Sequence, residues 1–133
     1  PTRERNRTCL CCGAPLKNFL FRFFGPACKH EYAYLIYINK WKLGLVDGVR
    51  GKSSLSNHIK KYFMIKHNST CPQCGWNQIN PHTNKVPLEL HHIDGDCTNN
   101  KEDNLDLLCP NCHILTSNYR SANKNSTRVR TKK

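Results

Sequence analysis

The sequence has few apolar residues and no long apolar run. Hydrophobic residues make up 38% of its 133 positions, which is little for a core that must hold a small domain by burial alone. No run of about 18 apolar residues occurs, so no membrane span is expected. A charged and then apolar leader is also missing, which favours the cytoplasm over export and tells against a disulfide framework. Something other than apolar burial must supplement the core.

Acidic residues are scarce and are unevenly placed. Residues 1–85 carry fourteen Lys and Arg against three acids, and residues 114–133 carry six against none. Residues 86–113 reverse this balance, with six acids against one base. A basic body around an acidic, histidine-bearing pocket suits a protein that grips a polyanion and also holds a divalent cation. The charge predicts a nucleic-acid partner, and ordinary solubility charge is the alternative.

Two segments have helical periodicity and are expected to pack rather than to carry chemistry. The first begins at Pro26, continues through residues 27–42, and is predicted to bury one apolar stripe. The members of that stripe are Tyr34, Leu35, Ile38, Trp41 and Leu45. The second follows a cap at Ser54 or Ser56 and ends near Lys66.

Nine cysteines can supplement the core, because most of them occur in closely spaced groups. Two Cys-x-x-Cys pairs flank residues 75–108, and each loop can turn both sulfurs towards one point. Structural zinc is the favoured interpretation, against disulfides or free thiols. The ligands would be Cys71, Cys74, Cys109 and Cys112. Zinc binding in small domains contributes roughly 10 to 16 kcal/mol, so the metal would be a condition of folding.

The cysteines near the amino terminus leave two interpretations open. One is a second zinc site, and the other is a degraded site filled by apolar packing. The zinc ligands would be Cys9, Cys12, Cys28 and either Cys11 or His30. The packing residues would be Phe21, Phe23 and Phe24.

Between the two later cysteine pairs, the pattern predicts strand, loop, strand and helix. Residues 86–93 alternate and are rich in β-formers, residues 94–100 form a loop, and residues 105–108 return as a strand. Pro110 then begins a helix that is expected to end near residues 118–119.

Three histidines occur in this segment. Neighbours on a strand point to opposite faces, so His91 and His92 are expected to have different roles. His113 can project from the helix towards the strand ends. Glu89 shares the strand face of His91 and either orients it or is exposed, and Asp94-Gly95-Asp96 is first a turn signal.

The motifs from Cys71 to His113 resemble one nuclease family. In order they are His-His-Ile-Asp-Gly-Asp, Asn-Leu and Cys-Pro-Asn-Cys-His. Their identity, order and spacing are similar to those of HNH endonucleases of the ββα-metal type, in the four-cysteine subgroup often met in bacteriophage. The preceding helices and the basic tail also look like small phage HNH proteins.

The resemblance implies a small zinc-stabilised α+β fold, with a ββα-metal HNH module between the two Cys-x-x-Cys knuckles. It implies that one divalent cation assists DNA hydrolysis, with His92 as general base and with His91 and His113 as ligands of that cation. Asn104 would hold the base-bearing loop. A histidine pKa near 6.5 suits a base, and two imidazole ligands favour Mn²⁺ or Ni²⁺ beside Mg²⁺. A phage-encoded enzyme of this kind would act in the host cytoplasm.

The chain is accordingly divided into four parts. They are a cysteine-rich segment (1–30), a basic two-helix segment (31–68), the HNH module (69–119) and a basic flexible tail (120–133). The tail is expected to contact DNA phosphates, and a solvated disordered end is the alternative. Its bases include Arg120, Lys124, Arg128 and Arg130.

Two other functions stay open. One is a non-catalytic zinc-ribbon DNA-binding protein, and the other is a scaffold or packaging partner whose zinc knots serve assembly. Neither of them needs an unliganded base beside a pair of metal ligands. The sequence predicts neither the DNA target nor the oligomeric state.

Overall fold

The structure is a computed structural model that describes residues 8–18, 20–52 and 54–128. It mixes short helices with short strands, in agreement with a small α+β protein. The chain divides into two compact units, the first ending at Lys40 and the second beginning at Trp41. Within the described part of the chain, no helix has both the length and the apolar character needed to cross a bilayer.

The first helix, α1, spans Pro26–Lys42 and begins at the proline as predicted. Tyr34, Ile38 and Trp41 are buried along one side, which confirms most of the predicted stripe. The prediction is wrong for Leu35 and Leu45, which are 53% and 69% exposed. Leu35 is turned by about 100° from Tyr34 around the helix axis, and Leu45 follows the end of α1.

A small hairpin and a second helix follow in the second unit. Strands β1 (Val49–Arg50) and β2 (Ser54–Leu55) pair antiparallel, and helix α2 spans Asn57–Lys66. The Ser56 hydroxyl accepts a hydrogen bond from the backbone N–H of His58 at 3.2 Å, so Ser56 is the cap. Ser54 is not the cap because it belongs to β2.

A second antiparallel pair carries the histidine doublet. Strand β3 spans Glu89–His92 and pairs with β4, Leu105–Leu108. A 3₁₀ turn, Glu102–Asn104, leads into β4, and helix α3, Pro110–Ile114, follows it. The largest fully buried side chains come from α2, from the β3–β4 region and from the first Cys-x-x-Cys loop, and they form the core of this unit. They are Phe63, Ile59, Leu88, Leu107, Leu108 and Cys71.

Two of the predicted elements are shorter than expected. Strand β3 begins at Glu89 rather than near residue 86, because Pro87 has no N–H and the N–H of Leu88 bonds back to Val86. Helix α3 ends at Ile114 rather than near residues 118–119. The Thr116 hydroxyl donates to the carbonyl of His113 at 2.8 Å and so satisfies one of the carbonyls at the helix end.

Candidate functional site

Four cysteines from two distant loops meet beside the β3–β4 pair. Their sulfurs all lie within 4.8 Å of one another, and the sulfurs of Cys74 and Cys109 are 3.6 Å apart. A tetrahedral zinc site with Zn–S bonds of about 2.3 Å has sulfur–sulfur distances of about 3.8 Å. The geometry therefore fits a tetrathiolate zinc site, as predicted. Its residues are Cys71, Cys74, Cys109 and Cys112.

The surroundings of this cluster favour the thiolate form at Cys71 and oppose it at Cys112. Burial raises the pKa of Cys71, but backbone N–H groups, first that of Cys109, outweigh it and lower the pKa to about 6. Burial and the neighbouring sulfurs, first that of Cys74, raise the pKa of Cys112 to about 12. Four ionised sulfurs at this spacing repel one another, so a bound cation suits this donor set.

The amino-terminal unit contains a second cluster, formed by Cys9, Cys12 and Cys28. Its loop copies the later knuckle: the N–H of Gly13 donates to the carbonyl of Cys9 at 2.9 Å, and the N–H of Gly75 donates to that of Cys71 at 2.8 Å. Both glycines have positive φ. The described residues supply three ligand atoms to this cluster.

The structure contradicts each of the two interpretations of the amino-terminal cysteines in part. Neither Cys11 nor His30 belongs to the cluster of described ligand atoms, so the expected fourth ligand is not provided by them. The packing alternative is wrong for Phe21 and Phe24, which are 62% and 68% exposed. The cluster can hold a metal ion through three thiols.

Two histidines approach each other between β3 and α3. The ring centroids of His91 and His113 are 5.3 Å apart, and the ring planes are inclined at 64°. Nδ1 of His113 donates to the carboxylate of Glu89 at 2.5 Å, because an ionised carboxylate can only accept. Glu89 therefore orients His113, and the expectation that it orients His91 is wrong. This bond leaves Nε2 of His113 with a lone pair in the neutral ring.

The environment of His91 favours its neutral form. Burial is the main reason that the pKa of His91 is lowered, and the nearby rings of His113 and His92 lower it further. Asp106, which faces His91 across the strand pair, opposes that effect. A neutral imidazole is the form that binds a metal ion.

His92, the last residue of β3, has different partners. Its Nε2 is 2.8 Å from Oδ1 of Asn100, and Asn118 donates to its backbone carbonyl at 3.1 Å. The expectation that His91 and His92 do not share one environment agrees with these contacts.

Asn104 joins the two ends of the loop that follows His92. Its side-chain N–H group donates to the carboxylate of Asp94 at 2.9 Å and to the carbonyl of Asn99 at 2.8 Å. Its side-chain oxygen accepts from the N–H of Asp94 at 3.1 Å. Asp94 is therefore engaged in holding the turn, and its hydrogen bonds, first that from Asn99, lower its pKa.

The chain after α3 folds back over the same loop. Residues 118–127, which we name the strap, contact residues 92–97 through four polar side chains. Asn123 donates to the carbonyl of Gly95 at 2.8 Å, and Asn125 donates to that of Asp94 at 3.2 Å. The other two contacts are made by Asn118 and Thr127. The predicted flexible arm is wrong for residues 123–127, which make specific contacts.

The predicted DNA-contacting bases lie on or beyond the strap. The guanidinium of Arg120 is 5.2 Å from the ring centroid of Tyr119, whose ring also makes an edge contact with His113. Lys124 and Arg128 are exposed. Arg130 lies outside the described residues. Their contact with DNA stays a prediction, as does the division of the chain into four parts.

Comparison with known proteins finds one local similarity. A stretch of 38 residues, 29% of the chain, is 58% identical to part of the H-N-H endonuclease F-TflIV of Escherichia phage T5. The matched stretch spans 17% of that protein's length. No family model and no solved structure matches the chain. The similarity is therefore confined to a short stretch of both proteins.

Sequence reasoning missed three residues beside the histidines. Asn100, Asn118 and Tyr119 contact His92 or His113, yet their residue types are equally typical of loops.

Proposed function

We propose that the protein is a metal-dependent DNA endonuclease that hydrolyses phosphodiester bonds with one catalytic cation and a histidine base. The observation that carries this proposal is the arrangement of the histidine doublet. His91 meets His113 at a centroid distance of 5.3 Å, while His92 next to it has no part in that pair. The local similarity to a phage H-N-H endonuclease supports the same function.

The pair of His91 and His113 would hold the catalytic cation. Both rings can present a nitrogen lone pair, and Glu89 holds His113 through its other nitrogen, an arrangement common around metal-binding histidines. A cation bound there offsets charge on the phosphate and on the leaving oxygen. Two imidazoles suit Mn²⁺ or Ni²⁺ better than Mg²⁺.

His92 would act as the general base. A neutral imidazole can take a proton from water in line with the leaving oxygen, and such a group contributes roughly a hundred- to ten-thousand-fold in rate. Asn104 supports this role indirectly, because it fixes the loop that begins just after His92. A zinc ion held by the four cysteines would stabilise the junction between β4 and α3, the helix that carries His113.

The positive charge of the chain supports DNA as the substrate. The formal net charge is +12, and basic residues bind phosphates and release counterions. Among the bases of the tail, Arg120 and Lys124 lie nearest to His113 along the chain and would contact the DNA backbone.

A plasmid assay tests the proposal. Supercoiled plasmid is incubated with the zinc-loaded protein and with Mg²⁺, Mn²⁺ or Ni²⁺ in turn, using wild type, His92→Ala and His82→Ala. His82 is an exposed histidine outside the site, so its variant controls for loss of a ring. We expect wild type and His82→Ala to nick or linearise DNA, and His92→Ala to lose at least about a hundredfold in rate.

The competing function makes the opposite prediction. A non-catalytic zinc-ribbon protein would bind plasmid equally well as wild type or as His92→Ala and would cleave it in neither form. Equal cleavage by wild type and His92→Ala would also contradict the assignment of the base.

A further inference from the structure

We propose that Asn100 positions the base, His92, and selects which ring nitrogen takes up the proton. The inference rests on the proposed function and deepens it. Oδ1 of Asn100 is 2.8 Å from Nε2 of His92. Asn100 is only 5% exposed, so its amide is held inside the protein rather than by solvent.

The orientation of the Asn100 amide follows from its second partner. Its side-chain N–H group donates to the backbone carbonyl of Asp47 at 3.1 Å, and a carbonyl can only accept. The oxygen end of the amide must therefore face His92. Since that oxygen also only accepts, Nε2 of His92 must carry a hydrogen and donate it.

The tautomer of His92 is fixed by this hydrogen bond. A neutral imidazole carries one hydrogen, so a hydrogen on Nε2 leaves the lone pair on Nδ1. Nδ1 is then the atom that takes the proton from water. The bond to Asn100 also limits rotation of the ring, which keeps Nδ1 in one direction.

Asn100 is itself anchored to the core of the second unit. The indole N–H of Trp41 donates to the backbone carbonyl of Asn100 at 2.8 Å, and Trp41 packs against Phe63 with centroids 6.3 Å apart. A Cβ at Gly48 would lie 3.2 Å from Cβ of Asn100, so only glycine leaves this space. His92 is thus linked through one amide to the core of the second unit.

The ring hydrogen of His92 provides a test that does not depend on activity. The protein, loaded with zinc but free of the catalytic cation, is labelled with ¹⁵N and studied by NMR at about pH 8, where histidine is neutral. For wild type we expect a ¹H–¹⁵N signal from Nε2–H of His92, slowed in its exchange with water. Asn100→Ala should lose that signal, and Asn99→Ala, whose amide bonds to Asp94 instead, should keep it.

Kinetics complete the test. Asn100→Ala should lower kcat by up to about a hundredfold with little change in KM. The metal ligands and the basic side chains proposed to contact DNA are unchanged in this variant. Should the buried alanine variant fail to fold, Asn100→Ser serves instead, because its shorter side chain removes the bond to His92 while leaving a hydroxyl in the buried site. It should show the same loss of signal and of kcat.

The outcomes separate this inference from the proposed function. An active wild type whose Asn100 variants keep full kcat, or whose His92 carries its hydrogen on Nδ1, overturns the role of Asn100 and leaves the nuclease intact. A wild type that cleaves no DNA with any cation overturns both, whatever the NMR signal shows about the ring.

Discussion

The carboxylate of Glu89 holds the ring of His113 from 24 positions away, with Oε2 at 2.5 Å from Nδ1. This hydrogen bond joins the first residue of β3 to α3 and leaves the other nitrogen of His113 available to a cation. A metal site built from two imidazoles depends on such support, because the second partner of each ring fixes its orientation and its tautomer.

Removing Glu89 should therefore weaken cation binding without affecting the zinc cluster. For Glu89→Ala we expect Mn²⁺ or Ni²⁺ affinity to fall about 10- to 100-fold, measured by isothermal titration on zinc-loaded protein. Asp103→Ala removes an exposed carboxylate elsewhere and is the matched control. Unchanged affinity in Glu89→Ala would show that this hydrogen bond does not support a cation site.

His91 should stay neutral at a lower pH than free histidine does. Its pKa is lowered, chiefly by burial, so the folded protein binds a proton there less readily than the unfolded chain, whose histidine has a pKa near 6.5. The stability contributed by neutral His91 is complete above that pH and is lost as the pH falls below it. NMR titration of the His91 ring, without the catalytic cation, should give a midpoint under about 6.5; a higher midpoint would contradict the prediction.

A side chain at Gly95 should destabilise the fold, for two separable reasons. Its φ is +78°, and an added Cβ would lie 2.4 Å from Oδ1 of Asn123. Gly44 has φ +73° with open space around it, so Gly44→Ala measures the backbone strain alone. We expect Gly95→Ala to cost more than Gly44→Ala, about 1 to 3 kcal/mol in all, by urea unfolding. Equal losses of unfolding free energy in the two variants would show that the strap does not crowd the loop at position 95.

The amino-terminal cysteines should bind a second zinc ion. We expect two zinc ions per chain in wild type by mass spectrometry under native conditions, and one in Cys28→Ser, since Cys28 belongs to the three-thiol cluster. Cys97→Ser changes a cysteine outside both clusters and should keep two. One zinc per wild-type chain would disprove this site and leave the tetrathiolate site standing.

We expect the last basic residues to contribute positive charge to DNA binding. We expect the strap to hold the loop of residues 92–97 in place. A chain ending after Arg128 lacks Arg130, Lys132 and Lys133 but keeps the strap. We expect its DNA affinity to depend less on salt, with a slope smaller by about 0.9 for each phosphate that the shortened chain no longer neutralises. Its kcat should be unchanged.

A chain ending after Tyr119 separates the two roles. It should lose kcat as well as salt dependence, because Asn123 and Asn125 no longer hold the loop. Replacing the last three bases with glutamine in the full chain controls for length. The same salt slope in all variants would show that these residues do not contact DNA.

Elements whose limits are set by local chemistry could be predicted from the sequence. Pro26 and Pro110 begin helices because proline fits the first helical position, and the serine cap of α2 needed only a hydroxyl before an apolar run. The tetrathiolate cluster was also predictable, because two Cys-x-x-Cys loops can turn four sulfurs towards one point.

Pairings between distant residues could not be predicted in the same way. Glu89 and His113 lie 24 positions apart, and Asn125 and Asp94 lie 31 apart. Sequence periodicity gives the face of an element but not the partner of a side chain. The hairpin of β1 and β2 was missed because strands of two residues are too short to show alternation. The length of α3 was overestimated, since Thr116 ends it by a side-chain bond.

The strap has a consequence for how the protein is made. Asn123 and Asn125 follow every cysteine and histidine in the sequence, so a chain growing on the ribosome has produced both sulfur clusters and all three clustered histidines before the residues that fasten the loop exist. The loop can consequently be secured only after the cysteines and histidines have been synthesised. A newly made chain would acquire a settled loop only once residues 118–127 had left the ribosome.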